Sequence, residues 1–198
     1  LMDVTERCEP YRKEFVPFAV QLASYAGKVY GLPQDNEPMG LAYRADIFEE
    51  YGITEDDLST WDGFIEAREK LWRDSGETIH MMAIDAPGST MSMFGDPHQV
   101  FEVFLHQAGL HGIYFDKDGV SVLDSAEAVE AFNVFQRVVQ SDGVLSFQTP
   151  DSSIAAYQSG LVASNISPAW LPLVLQFFIE DQAGLWRVMR LPALETDG

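Results

Sequence analysis

Short apolar runs and longer stretches of helical spacing take turns along residues 20–195. Leu22–Ala26 and Val29–Leu32 flank Gly27-Lys28, a pattern that predicts a hairpin with glycine at the first central position of its turn. Pro33 has no N–H to donate and ends that ladder. Gln34, Asp35, Asn36, Glu37, Pro38 and Gly40 then form a polar loop around a single apolar Met39, before the chain turns apolar at Leu41-Ala42-Tyr43. Such a loop between two strands is a place where a rigid scaffold displays binding groups.

The rest of the pattern continues the alternation. Asp46–Tyr51 reads as a short helix closed by Gly52. Thr60 is the N-cap of a helix to Arg73, with Trp61, Phe64, Ile65, Leu71 and Trp72 on one face. Ile79–Ile84 reads as a buried strand, and Asp85–Gly95 as a loop of small residues and methionine. Asp96-Pro97 opens a helix with the stripe Val100, Phe101, Phe104, Leu105 and Ala108, stopped by Gly109. Phe115–Gly119 is a turn. Asp124 and Glu127 predict a capping box for a helix to Gln140, buried through Val129, Phe132, Phe135 and Val139 and closed by Gly143. Ser152 or Ser153 caps a helix ending at Gly160; Leu161–Ile166 is a strand, Ala169–Ala183 a helix and Leu185–Leu191 the last strand. Helices alternating with short apolar strands predict an α/β layered architecture.

Composition narrows the function classes. A chain of 198 residues, 46% of them hydrophobic, is long enough for a well-buried core. No apolar run reaches the roughly 18–20 residues of a membrane span; Ala169–Ile179 is interrupted by Pro172 and Gln176. Twelve Lys and Arg against 31 Asp and Glu give a net charge of −19, which argues against nucleic acid and anionic membrane surfaces as partners. The lone Cys8 excludes an internal disulfide and a cysteine-based zinc site.

No nucleophile elbow, P-loop, paired-histidine zinc motif or dinucleotide fingerprint is present. His80, His98, His106 and His111 show no metal-ligand spacing, and no cofactor is expected. Asn165-Ile166-Ser167 matches a glycosylation sequon but falls in a strand expected to be buried. Carboxylates are plentiful. Asp35 and Glu37 are the two in the polar loop, and side chains two apart on an extended segment point the same way. Hydrogen bonding to a ligand explains that pair as well as acid–base catalysis does.

A resemblance sharpens the reading. "GKVYGLP", "GLAYRADIFEEYGI" and "STWDGFIEAREKL", followed by "YQSGLVASNISPAW" and "AGLWRVMRLPAL", resemble in order and spacing the extracellular solute-binding proteins of sugar-importing ABC transporters (family 1 type). The family usually has Glu where Gly63 stands, so the first-turn capping box is incomplete here. The resemblance implies one lobe of a two-lobe, periplasmic-binding-protein-like (type II) α/β fold, with further lobe-forming segments before Leu1 and after Gly198. Residues 1–33 would form the inter-lobe crossing and hairpin, 34–187 the ligand-binding lobe, and 188–198 the strand crossing back. It also implies a monomeric, extracytoplasmic, non-enzymatic protein, lipid-anchored outside these residues, that hands a sugar or oligosaccharide to a membrane permease.

Sugar recognition needs flat aromatic faces for pyranose C–H surfaces, and planar carboxylates or amides for hydroxyls. Trp170, after a strand and Pro168, supplies the first; Gln34, Asp35 and Asn36 supply the second. Ser89, Met91 or Phe94 extend the lining from the loop after Ile84. Trp61, Trp72 and Trp186 read as core. The alternatives are a non-sugar solute of the same family (a polyol, an amine or a peptide) and a secreted glycoside hydrolase.

Overall fold

The computed structural model describes residues 1–34, 38–86, 95–110, 114–116 and 118–195. They fall into two compact units, 1–38 and 39–198. The smaller unit holds α1 (Thr5–Cys8), a 3-10 segment (Glu9–Glu14) and α2 (Pro17–Leu22). The expected hairpin is there as β1 (Ser24–Tyr25) and β2 (Lys28–Val29), but its turn is one residue earlier than the sequence predicts. Tyr25 pairs with Lys28, so Ala26 and Gly27 are the central residues, with φ of 49° and 78°. Two consecutive positive φ values are the signature of the type I′ turn that matches strand twist. Gly27 takes that conformation freely; Ala26 carries the strain. Leu22 is drawn into α2 because Pro17 fixes the first helical turn.

The larger unit is built on β3 (Met39–Arg44), which leads into α3 (Ala45–Tyr51) and α4 (Trp61–Asp74). There follow β4 (Met82–Asp85), α5 (Pro97–Gln107), α6 (Ala126–Val139), β5 (Val144–Phe147), α7 (Pro150–Gln158), β6 (Ser164–Pro168), α8 (Leu171–Phe178) and β7 (Trp186–Met189). β3 lies between β6 and β7, antiparallel to both. β4 pairs in parallel with β5, and a parallel bridge from His80 to Val162 ties the β4 side to the β6 side. β4, β5, β6 and β7 therefore run the same way, and β3 runs against them.

Helices cover both faces. Trp61, Phe64, Leu71, Val100, Phe104, Leu105, Ala131, Phe135 and Val138 pack on one side of the strands with Leu41, Met82 and Ile166. Tyr157, Leu171, Leu175 and Ile179 pack on the other with Ala42, Ala83 and Phe147. This is a three-layered α/β arrangement.

Local chemistry explains most boundaries. Thr60 Oγ1 accepts from Gly63 N at 3.1 Å, and Asp96 caps α5 through His98 N at 2.9 Å. The glycine at position 63 has a reason: a Cβ there would lie 2.2 Å from the Asp57 carbonyl oxygen. Neither glutamate nor any other side chain fits without moving that backbone. The other two caps differ from expectation. α6 is capped by Ser125 accepting from Ala128 N at 3.2 Å, not by Asp124. α7 is capped by Thr149 in a reciprocal box with Ser152. The buried face of α6 also differs. Ala128, Ala131, Phe135 and Val138 face inward, while Val129 and Phe132 are exposed. Small alanines let α6 approach the neighbouring helices closely, and a stripe chosen by bulk alone misses them.

Trp72 and His80 pack ring against ring at 4.7 Å, with His80 Nδ1 3.1 Å from the Asp142 carbonyl. Burial pushes the His80 pKa down, against the smaller upward pull of that carbonyl. The unfolded chain, at about 6.5, then binds the proton more readily than the fold. Stability conferred by neutral His80 is present above that pH and is lost as pH falls through about 6.5. Urea unfolding at pH 7.5 and 5.5 should show a smaller acid loss for His80→Gln than for the wild type; an equal loss would reject the assignment.

Candidate functional site

The strand directions bring one end of the larger unit into focus. Asp85 ends β4, Phe147 ends β5, Pro168 ends β6 and Met189 ends β7, while Met39, which opens β3, pairs with Pro168. All lie at the same end of the strands. In open α/β sheets the carboxyl ends of parallel strands are where ligands sit.

Trp170 stands at this end, two residues beyond β6, as the residue preceding α8. It is half-buried, its inner side resting on the cluster that contains Leu171 and Leu175. The other tryptophans are occupied. Trp61 is buried, packs at 4.4 Å from the Phe104 ring and donates to Gln107 Oε1 at 2.8 Å. Trp72 pairs with His80. Trp186 donates to Gln182 Oε1 at 3.0 Å and packs 5.9 Å from the Tyr157 ring. Among the described residues Trp170 alone has neither an aromatic neighbour nor an acceptor for its indole N–H.

Gln34 is exposed in the smaller unit. Asp35, Asn36 and Phe94 lie outside the described residues, as do Ser89 and Met91. A hollow of about 270 Å³ is lined by Leu175, Ile179, Gln182, Trp186 and Val188 among others. It includes neither Trp170 nor Asp85.

Beneath the strand ends lies a polar group that sequence reasoning passed over. Asp85, Ser167, Asn165 and Tyr157 are all buried. Asn165 Nδ2 donates to Tyr157 Oη at 2.5 Å, which uses the amide of the apparent sequon internally. Burial pushes the Tyr157 hydroxyl far above its usual range, and the nearby Asp85 charge adds to that, against the Asn165 amide, which lowers it. The signal available was a carboxylate ending an otherwise apolar strand, just before the small-residue loop. Among the described residues no group of His, Cys, Asp and Glu is placed to hold a metal.

Known proteins align with this chain along nearly all its length. It is 29% identical over 187 residues to a lactose-binding protein of Rhizobium radiobacter, covering 93% of this chain and 41% of that protein. It is 23% identical to an arabinooligosaccharide-binding protein of Bacillus subtilis, covering 100% and 44%. The galacto-N-biose/lacto-N-biose I-binding protein of the Bifidobacterium longum ABC transporter, solved with lacto-N-biose, superposes with a TM-score of 0.75 at 23% identity, over 97% of this chain and 45% of that one. The chain thus spans a little under half the length of these relatives, and the α/β fold matches part of a two-lobe architecture. The family model for bacterial extracellular solute-binding proteins matches residues 2–174, and the chain belongs to that family.

Proposed function

We propose that this chain is the ligand-binding lobe of a protein that captures a sugar or oligosaccharide in a cleft between two lobes and delivers it to the permease of an ABC importer. The observation that carries the reading is Trp170. Its ring is half-buried at the strand ends and has no aromatic partner among the described residues, and a pyranose covers such a face with little loss of side-chain entropy. The relatives bind lactose and arabino-oligosaccharides, and the family acts outside the cytoplasm. Binding proteins of this kind do no covalent chemistry; the two lobes close on the solute by hinge motion.

In this reading residues 1–33 carry the inter-lobe crossing, 34–187 the lobe and 188–198 the return strand, with a lipid anchor outside the 198 residues. β7 is paired with β3 as far as Met189, so the return begins from within the sheet. Gln34, Asp35, Asn36 and Phe94 are proposed as further ligand-contacting residues. The full-length protein would work as a monomer.

Thermal melting of the full-length protein against lactose, arabino-oligosaccharides, galactobiose and maltose tests the reading. A sugar that binds only the folded state at a hundred times its Kd stabilises it by about 2.7 kcal/mol. At least one should raise the melting temperature. A flat response across the panel, with a rise for an amine or a peptide, would replace sugar by that solute.

A further inference from the structure

Asp85 is 94% buried, its relative exposure being 6%, yet its side chain makes no hydrogen bond or ion pair with any described residue. Its Oδ2 is wholly enclosed. Folded proteins pair their buried carboxylates, because an unpaired one forfeits hydration and receives nothing in return. Position makes the exception informative. Asp85 is the last residue of β4, at the strand end where Trp170 stands. The parallel bridge from His80 to Val162 sets the start of the β4 segment beside the start of the β6 segment, and both then run toward the end at which Asp85 and Trp170 stand. Alternation along β4 puts Asp85 on the same face as Ala83, whose cluster is the one Trp170 rests on.

We infer that Asp85 is a ligand-binding residue, its carboxylate accepting a hydroxyl of the sugar whose ring packs on Trp170; this rests on the sugar-binding reading above. A buried carboxylate with no partner among the described residues is free to accept a ligand hydroxyl in a charge-assisted hydrogen bond. The arrangement trades stability of the unliganded lobe for affinity, as functional sites commonly do.

That trade separates a binding role from a structural one. In the full-length protein, Asp85→Ala should weaken calorimetric binding of the best sugar on the panel by about tenfold or more. Asp85→Asn, which keeps an acceptor oxygen, should recover part of the loss. Without sugar, Asp85→Asn should melt at or above the wild-type temperature, since it replaces a buried carboxyl group that has no partner among the described residues. A monodeoxy sugar lacking the recognised hydroxyl should cost the wild type about tenfold and Asp85→Ala almost nothing, because the contact is already gone. Wild-type affinity in both variants overturns the Asp85 assignment and leaves the sugar reading standing. Failure of the wild type to bind any sugar, with binding of an ammonium solute such as choline, overturns both. Should neither variant fold, a crystal structure of the wild type with sugar decides: a hydroxyl within about 3 Å of the carboxylate supports the inference, and its absence sinks it.

Discussion

Trp61→Ala is expected to destabilise the protein by about 3–5 kcal/mol, the range for deleting a core aromatic. The indole is 2% exposed and wedged between Phe64 and Phe104, with ring centroids 5.6 and 4.4 Å away. Its N–H also holds Gln107 Oε1 at 2.8 Å, and Gln107 in turn donates to the Pro192 carbonyl at 2.9 Å. Truncation leaves a cavity and breaks a tie between α4, α5 and the segment after β7, so the upper half of the range applies. Trp170→Ala is the contrast. That ring is half-buried and its N–H has no acceptor among the described residues, so the stability cost should be about 1–2 kcal/mol. Sugar affinity of the full-length protein should instead fall by about 1–3 kcal/mol, the cost of a lost stacking platform. Urea unfolding and calorimetric titration of both variants make the comparison. If Trp170→Ala unfolds as readily as Trp61→Ala and still binds sugar normally, Trp170 is a packing residue and the binding site lies elsewhere.

The contrast between these two tryptophans was legible in the sequence, because it depends on local pattern. Trp61 follows a good cap, Thr60, and shares a helical face with Phe64 and Leu71. Trp170 follows a small-residue strand and a proline. Caps formed by side chains one turn from their partners were equally legible at Thr60 and Asp96. At α6 and α7 the sequence pattern points to Asp124 and to Ser152 or Ser153, whereas the caps are Ser125 and Thr149. That choice depends on where the following helix lies in three dimensions. β5 was not foreseen at all: Val144–Phe147 is four residues long, and what makes it a strand is its parallel ladder to β4, some sixty residues away. The buried polar group was hidden for the same reason. Asp85, Tyr157 and Asn165 come from three separate elements, and only the folded sheet brings them together. Asp35, Asn36 and Phe94, the most sequence-apparent partners for Trp170, remain proposals resting on their loops.

Arg68→Ala is expected to cost about 2–4 kcal/mol, although among the described residues no buried carboxylate pairs with it. Arg68 lies on the inner side of α4 and is 4% exposed. Its Nη1 donates to the carbonyl oxygens of Arg137 at 2.8 Å and Val138 at 3.0 Å, in the last turn of α6. The last four carbonyls of a helix have no partners within it, and here a cation from a neighbouring helix serves two of them at the negative end of the dipole. Burial lowers the Arg68 pKa, Glu69 opposing and Arg137 reinforcing that effect, but guanidinium stays charged throughout the working range. Gly143 belongs to the same arrangement: a Cβ there would come within 2.8 Å of Arg68 Cγ. The ion pair to Glu69, at 3.5 Å with Glu69 66% exposed, is a surface contact worth at most about 1 kcal/mol. Three variants separate these contributions by urea unfolding. Glu69→Ala should be close to wild type. Arg68→Met, which keeps the apolar volume and strands the two carbonyls, should lose about 1–3 kcal/mol. Arg68→Ala should lose more, by the added cavity. If Arg68→Met is as stable as wild type, packing of the side-chain stem is what holds α4 to α6, and the hydrogen bonds to the α6 terminus contribute nothing net.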